Sequence, residues 1–573
     1  MGERNSNRRH ALPAAAAAVA VATVAEAFAV AVAFAAFFVA MVFASPPIRA
    51  QAYEIAQQPV RVGIRAAGIQ DAGSVDGVRL YSERGLMAEW ADGQGNVEQL
   101  VRILFVSKAS ELSVKKHWHS ARFAVRAKPK PDGPSSYAEA AWLLADLEKK
   151  GYSCVLEYSA RAGDAGGGAA GLGSWHALIG AFDSAAAADA YIDASLGSGF
   201  AGVGFEAADM SAKYISATLD GKLQFVCAVA DGGGLRFSPQ DGARVAMDGK
   251  AYRGAIELLR ISDSDMTVVN VLPMDEYLYG VVPREIQASS HLEALKAQAV
   301  AARTYTVNSR GRHSQHGFNL CGTTHCQVYG GADGEDERAS RAVDETSGQV
   351  VLYKGAPAQV FYFSSSGGRT EDVANVWGSS YPYLVSVEDP YESGDSAYYN
   401  WEATYTAKEI SAQLQKSGDG IGEVLDVAVT RRSEAGRAVE VTVTGAAGTK
   451  VYSNELCRTF LGGLRSQAYT ITGGGGLAAV GTDGTAKAAA VEGRMAVSSA
   501  GVSGLAGAAS ELYAASASGV SKLAERQGAS FRFVGKGWGH AVGMSQEGAK
   551  GMASAGFGYN DILTHYFPGC TVG

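Results

Sequence analysis

The chemistry available to this chain lies in one carboxylate, a knot of thiols and imidazoles, a run of hydroxyls and a glycine-rich loop. Glu285 sits on a short connection between an apolar segment and the start of a helix. Catalytic groups concentrate on such connections, which rigid elements hold in place. An ordinary solvated loop Glu is the plain alternative. His316, Cys321, His325 and Cys326 fall within eleven residues, a density typical of metal ligands, although the spacing matches no standard zinc finger. Zinc held by four protein ligands would have no open position, so its role would be structural, ordering the loop beside Glu285. His325 and Cys326 are adjacent and awkward as joint ligands, which leaves room for a three-ligand site. A Cys321–Cys326 disulfide, which suits an oxidising compartment, and two reduced thiols are the other readings. Ser364, Ser365 and Ser366 precede the pair Gly367-Gly368. Such a loop can present hydroxyls and amides to a polar ligand, but it lacks the Gly-Lys-Ser/Thr ending of a phosphate loop. Gly535-Lys536-Gly537-Trp538-Gly539-His540 is dense enough in glycine to let backbone approach something closely. His540 and Gln546 are candidate contacts there, with a buried His holding its own loop as the alternative.

Certain elements must position these groups. Val268 to Val271 is β-branched and apolar, hence a strand. Met274 to Tyr279 reads as a helical turn. Val281-Val282-Pro283 reads as extended, because a residue before proline is pushed out of the helical region. Ser290 with Glu293 is a capping-box signature. The following LEALKAQAVAARTY is rich in strong helix formers and apolar on most faces, which predicts a buried helix.

Asp275-Glu276-Tyr277-Leu278-Tyr279-Gly280-Val281-Val282-Pro283, then Glu285, then Glu293 to Tyr305, resemble the stage II sporulation protein D / amidase-enhancer family of cell-wall proteins. Ile286-Gln287 and Ser290-His291 depart from the Met-Pro and Trp-Pro usual there. The resemblance implies that Glu285 is the catalytic acid and that the Cys/His positions carry zinc in some members. It extends to Ser-Gly-Gly-x-Thr at Ser366 to Thr370 and to the Gly-Trp-Gly-His loop, where Ala541 replaces the usual Gly. Gln298, Arg303 and Tyr305 on the helix, with Ser364, Ser365, Ser366, His540 and Gln546, form the expected glycan-binding set. Trp377, Tyr381, Tyr383 and Tyr391 could stack on sugars, though such rings more often pack.

The chain has 573 residues, enough for two or three domains. With 50 basic against 58 acidic residues, it offers no polycation for nucleic acid. Residues 1–52 read as a signal peptide or membrane anchor: Arg4, Arg8 and Arg9 precede an 18-residue apolar run, Ala27 to Ala44, and Ala50-Gln51-Ala52 fits a cleavage site. Export follows in either case, with the remainder membrane-anchored or secreted to the wall. Six scattered cysteines are not a disulfide framework. Residues 53–134 read as β-rich; His117-Trp118-His119 there reads as structural. Residues 135–205 run helix–strand–loop–strand–helix, and Gly180-Ala181-Phe182-Asp183-Ser184 resembles the Gly-x-Phe-x-Ser of SPOR domains, small modules that bind peptidoglycan. Residues 213–573 form the expected catalytic domain, interrupted at 473–528 by a Gly/Ala/Ser-rich insertion, flexible or loosely helical.

The expected fold is therefore α+β: a β-rich catalytic domain around a buried helix, preceded by a small α/β SPOR-like module and an N-terminal hydrophobic segment. The expected activity is cleavage of peptidoglycan glycan strands by a lytic transglycosylase with one Glu. The other expectations are a non-catalytic amidase enhancer, with an N-acetylmuramoyl-L-alanine amidase as partner, and an inverting hydrolase that adds Asp275 or Glu371 as second carboxylate. No cofactor beyond a structural zinc is expected.

Overall fold

Leu292–Ser309 is the buried centre on which the rest is packed: thirteen of its eighteen residues are buried, from Ala294 to Ser309. A helix rich in Ala lets its neighbours approach closely, and Val60, Leu272, Tyr277, Leu278, Val281, Leu320, Val351, Val542, Met552, Ile562 and Phe567 share its core. The computed structural model describes residues 58–573 except 67–74, 92–96, 102–111, 118–121, 130–134, 160–172, 197–198, 212, 230–232, 262–265 and, within 474–529, everything but the strands. The apolar run at 27–44 and Trp118-His119 lie outside the described residues. Among the described residues no helix is long and apolar enough to cross a membrane.

The chain is mixed α and β, mostly β. A seven-stranded sheet runs in the order Leu320–Cys321, Val60–Arg65, Thr267–Leu272, Ala255–Leu259, Gly234–Pro239, Leu86–Ala91 and Val97–Val101. Val60–Arg65 pairs antiparallel with Thr267–Leu272 and parallel with Leu320–Cys321. The N-terminal stretch is thus woven into the sheet that carries the Glu285 helix, and 134/135 marks no break in the sheets.

Phe123–Lys128, Tyr137–Lys149, Cys154–Ser159, Ser174–Phe182, Ala185–Tyr191 and Gly204–Asp209 form a βαββαβ unit. Its strands lie in the order second, third, first, fourth, all antiparallel, at one end of a ten-stranded sheet. This is the split βαβ arrangement. Its first strand starts before residue 135, because Phe123–Lys128 is needed to pair with both Ser174–Phe182 and Gly204–Asp209.

Three expectations change. Val281, Val282 and Pro283 are helical, in Met274–Glu285. The preference against helix before proline is overridden by burial of Tyr277, Leu278, Val281 and Val282, and Ile286 N–H still bonds Val282 O at 3.0 Å. The next helix begins at Leu292; His291, not Ser290, caps it, its Nδ1 accepting from Glu293 N–H at 3.3 Å. In 473–528 the described strands are three hairpins, Leu477–Val480 with Ala486–Ala489, Met495–Ser498 with Gly501–Gly504, and Leu512–Ser516 with Gly519–Leu523. They leave from the end of a ladder in which Tyr469–Gly473 pairs with Ser530–Lys536. A second core, with Trp401, Ile410, Leu414, Val441, Cys457, Phe531 and Phe533, belongs to that part of the chain.

Candidate functional site

Glu285 is the last residue of the helix Met274–Glu285 and keeps part of its side chain open to solvent. Its Oε1 accepts one backbone hydrogen bond, from Val328 N–H at 2.8 Å. Burial pushes its carboxyl up to about 7, and the Val328 bond offsets that only in part. Two phenols stand close. Tyr277 and Tyr362 are raised well above the usual tyrosine range, first by burial, with the Glu285 charge contributing. Gln327 fixes both: its Oε1 accepts from Tyr277 Oη at 3.0 Å and Thr306 Oγ1 at 2.8 Å, and its Nε2 donates to Tyr362 Oη at 2.9 Å. Gln327, buried in the same loop as Val328, went unremarked in the sequence; its place directly after the Cys/His motif was the available signal.

That loop connects Glu285 to the thiol–imidazole cluster. His313, Cys321, His325 and Cys326 each place a ligand atom within 4.8 Å of the others. His313 Nε2 lies 3.3 Å from Cys326 Sγ; His325 Nδ1 lies 3.6 Å from Cys321 Sγ and 3.5 Å from Cys326 Sγ. Tetrahedral zinc with ordinary Zn–S and Zn–N bonds requires S···N edges of about 3.6 Å. The donors therefore fit zinc in kind and in spacing. The histidine differs from the one expected. His316 turns away to Gln315 Nε2 at 3.1 Å and stacks on Phe318, while His313 points inward. The turn at Ser314–His316 sets the two rings apart, and spacing in sequence could not tell them apart. His325 and Cys326 do converge, although adjacent. No disulfide joins the six cysteines. The Cys326 thiol beside it holds the Cys321 pKa below the usual thiol range.

Several expected glycan contacts are buried. Arg303 is wholly buried; it pairs with Asp275 at 2.8 Å and donates to Gln349 O and Val343 O. Gln298 and Gln546 are buried and bond each other at 3.2 Å, tying the central helix to Gln546–Ser554. Ser365 and Ser366 are buried, and Ser366 Oγ faces Asp389 and Glu392. Polar side chains on nearly all-buried elements must find partners inside, and Arg303, Gln298, Gln546 and Ser366 each do through at least one atom. Tyr305 lines the wall between Tyr362 and Arg312, its Oη accepting from Arg312 at 3.1 Å. Ser364 is half-buried, its carbonyl holding Glu547 N–H at 2.9 Å.

His540 is packed among Phe361, Phe363 and Trp377, at ring distances of 6.2, 5.4 and 4.9 Å. Its Nδ1 accepts from Val542 N–H at 3.1 Å, and burial drives its pKa down to about 3. The ring is neutral and half-buried, with its Nδ1 engaged by its own loop. Ala541, where the family usually has Gly, adopts φ +66°, the left-handed region, while its carbonyl holds Glu371 N–H at 2.8 Å. Of the four stacking candidates, Trp377 is 39 % exposed and Tyr383 is buried, with Gln359 N–H on its hydroxyl.

The two carboxylates considered as partners for Glu285 are committed elsewhere. Asp275 holds Arg303 and accepts from Ser347. Glu371 is buried and accepts from Asp372 N–H, Asn375 and Ser433. The site therefore offers one acid of raised pKa, flanked by phenols and braced by a loop whose other end holds the four metal-type donors.

Residues 262–353, which contain Glu285 and all four donors, match the family model described as Stage II sporulation protein. Residues 372–480 match a model described as a domain of unknown function. The amidase enhancer of Bacillus subtilis (strain 168) is 31% identical over 371 residues, 61% of this chain and 48% of that protein. Stage II sporulation protein D of Bacillus amyloliquefaciens is 27% identical over 365 residues, 59% of this chain and 87% of that protein. An uncharacterized protein of Brachyspira hyodysenteriae is 29% identical over 211 residues, 37% of this chain and 56% of its own length. The chain thus spans about half the length of the amidase enhancer. From the strand Thr267–Leu272 through the donor loop, this protein is similar to the Stage II sporulation protein family model, and two of the relatives it matches are named for that protein and for amidase enhancement.

Proposed function

We propose that this chain is an exported lytic transglycosylase that cleaves peptidoglycan glycan strands between N-acetylmuramic acid and N-acetylglucosamine. The observation that carries the reading is Glu285: a lone carboxyl whose pKa is raised to about 7 by burial. An acid poised near the working pH is suited to give a proton and take one back in a single cycle. The protonated Glu285 gives its proton to the glycosidic oxygen as the C1–O bond breaks. The substrate's own C6 hydroxyl closes on C1, and its proton passes to Glu285. The products are a 1,6-anhydro muramic end and a free hydroxyl on the departing sugar. One carboxylate suffices, whereas ordinary glycoside hydrolysis uses two. Engagement of Asp275 by Arg303 and of Glu371 by Ser433 and Asn375 disfavours an inverting hydrolase.

In this reading His313, Cys321, His325 and Cys326 hold a structural zinc, which supplies no chemistry and stiffens the loop that presents Val328 N–H to Glu285. Trp377 offers an exposed face for sugar stacking. The βαββαβ unit serves as a SPOR-like wall-binding module, and the N-terminal segment anchors or exports the chain. One observation favours a second reading: a relative is named amidase enhancer. There the same site would bind glycan without cutting it and stimulate a separate amidase.

The test is digestion of purified glycan strands, intact and peptide-stripped, by the chain and by Glu285→Gln, with mass spectrometry of the ends. Anhydro ends from the wild type alone support the transglycosylase. Reducing ends support a hydrolase. Retained glycan binding without any product leaves the enhancer reading standing.

A further inference from the structure

Of the two phenols near Glu285, one has its proton spent and the other does not. Tyr277 is wholly buried, and its Oη donates to Gln327 Oε1 at 3.0 Å. Tyr362 is half-buried, and its Oη accepts from Gln327 Nε2 at 2.9 Å. A third bond fixes the direction of these two. Gln327 Nε2 also lies 3.2 Å from Ala302 O, and a backbone carbonyl can only accept. The amide nitrogen therefore faces Ala302 and Tyr362, and the amide oxygen faces Tyr277. Tyr362 thus receives a hydrogen bond, while its own O–H finds no acceptor among the described residues. Burial, with the Glu285 charge nearby, raises this phenol well above the usual tyrosine range, so it keeps its proton across the working pH range.

One loop places the phenol and the acid together. The Gln327 side chain holds Tyr362, and the next residue, Val328, donates its N–H to Glu285 Oε1 at 2.8 Å. Consecutive Cα atoms are about 3.8 Å apart, so little freedom separates the two anchors. Tyr362 is held through its backbone as well, since Tyr362–Phe363 pairs parallel with Met544–Ser545. Its proton does not go to Glu285, which accepts only the Val328 bond among the described residues. The proton is left for an atom of a ligand bound beside the acid.

The donor indicates the kind of atom. A phenol already accepting from Gln327 offers a proton and suits an acceptor that has none of its own. Sugar hydroxyls carry a proton, and sugar ether oxygens are weak acceptors. An acetamido carbonyl only accepts, as the side-chain amide oxygens of proteins do. We propose that Tyr362 donates a hydrogen bond to the acetamido carbonyl of the sugar bound beside Glu285, so that the site reads N-acetylation of the strand. The inference rests on the binding of glycan at Glu285. Tyr362 keeps its proton throughout and positions the substrate; Gln327 positions Tyr362.

Glu285→Gln allows affinity to be read without turnover. Its affinity for purified peptide-stripped glycan strands, N-acetylated and chemically de-N-acetylated, is compared with that of the double variant Glu285→Gln/Tyr362→Phe. Phe keeps the ring, and Gln327 Nε2 keeps Ala302 O, so the melting temperatures of the two proteins should agree within a few degrees. The loss of the hydroxyl should weaken binding of the N-acetylated strand by about two- to tenfold and leave binding of the de-N-acetylated strand unchanged. A merely structural tyrosine would shift both strands alike. Equal losses on the two strands, or no loss on either, overturn the proposal and leave the glycan reading intact. Failure of both proteins to bind either strand overturns both. Selective loss on the N-acetylated strand, with no anhydro ends made by the wild type, supports the Tyr362 contact and overturns only the transglycosylase.

Discussion

Replacing Glu285 by Gln separates catalysis from stability. Gln keeps an acceptor for Val328 N–H and removes only the titrating proton. A carboxyl moved from 4.5 to about 7 binds its proton more tightly folded than unfolded. Its contribution to stability is therefore fully present below pH 4.5 and is lost as pH rises to 7. Above pH 7 the buried charge costs roughly 3 kcal/mol, at pH 6 about 2, and at pH 5 under about 1. Relative to Glu285→Gln, the wild type should thus be less stable by roughly 3 kcal/mol at pH 8 and nearly equal at pH 4.5. Urea denaturation of both proteins across pH 4.5–8 reads this difference. The wild type should also lose cleavage rate as pH rises through about 7, where the acid form vanishes, and the variant should lose at least about a hundredfold of the rate at every pH. Equal stability of the two proteins at pH 8 would refute the raised pKa. Cleavage retained by the variant would refute the role.

Other outcomes follow from the same contacts. The purified chain should hold about one zinc, lost in His313→Ala and Cys321→Ser and kept in His316→Ala, as metal analysis will show. Arg303→Met strands Asp275 and should destabilise by about 3–5 kcal/mol in urea, with glycan binding at low temperature unchanged in the folded fraction. Ala541→Gly relieves a left-handed alanine and should stabilise by about 0.5–1 kcal/mol. Trp377→Ala should lower affinity for glycan in a pull-down while shifting stability by less than about 1 kcal/mol, since the ring is 39 % exposed.

Local rules were enough to read some of this from the sequence. The buried central helix followed from its helix-forming, nearly all-apolar composition, and the strand before it from β-branched residues; both lie where expected. Glu285 stood out because the residues around it formed a long ordered motif, and the density of Cys and His marked the donor loop. Other features depend on which side chains meet across the fold. Pro283 stays helical because four neighbours are buried, an energy the local preference does not include. His313 replaces His316 because a single turn aims one ring inward. Arg303, Gln298 and Gln546 were expected to contact glycan, yet each is buried with a partner from a distant part of the chain. Asp389 and Glu392 carry no motif at all, and only folding brings them to the serine loop. The amino-acid order marked Glu285 and determined the buried helix that follows it. The tertiary structure decided its pKa, its neighbours and which donors gather in the thiol–imidazole cluster, because burial and convergence are properties of distance in space, not along the chain.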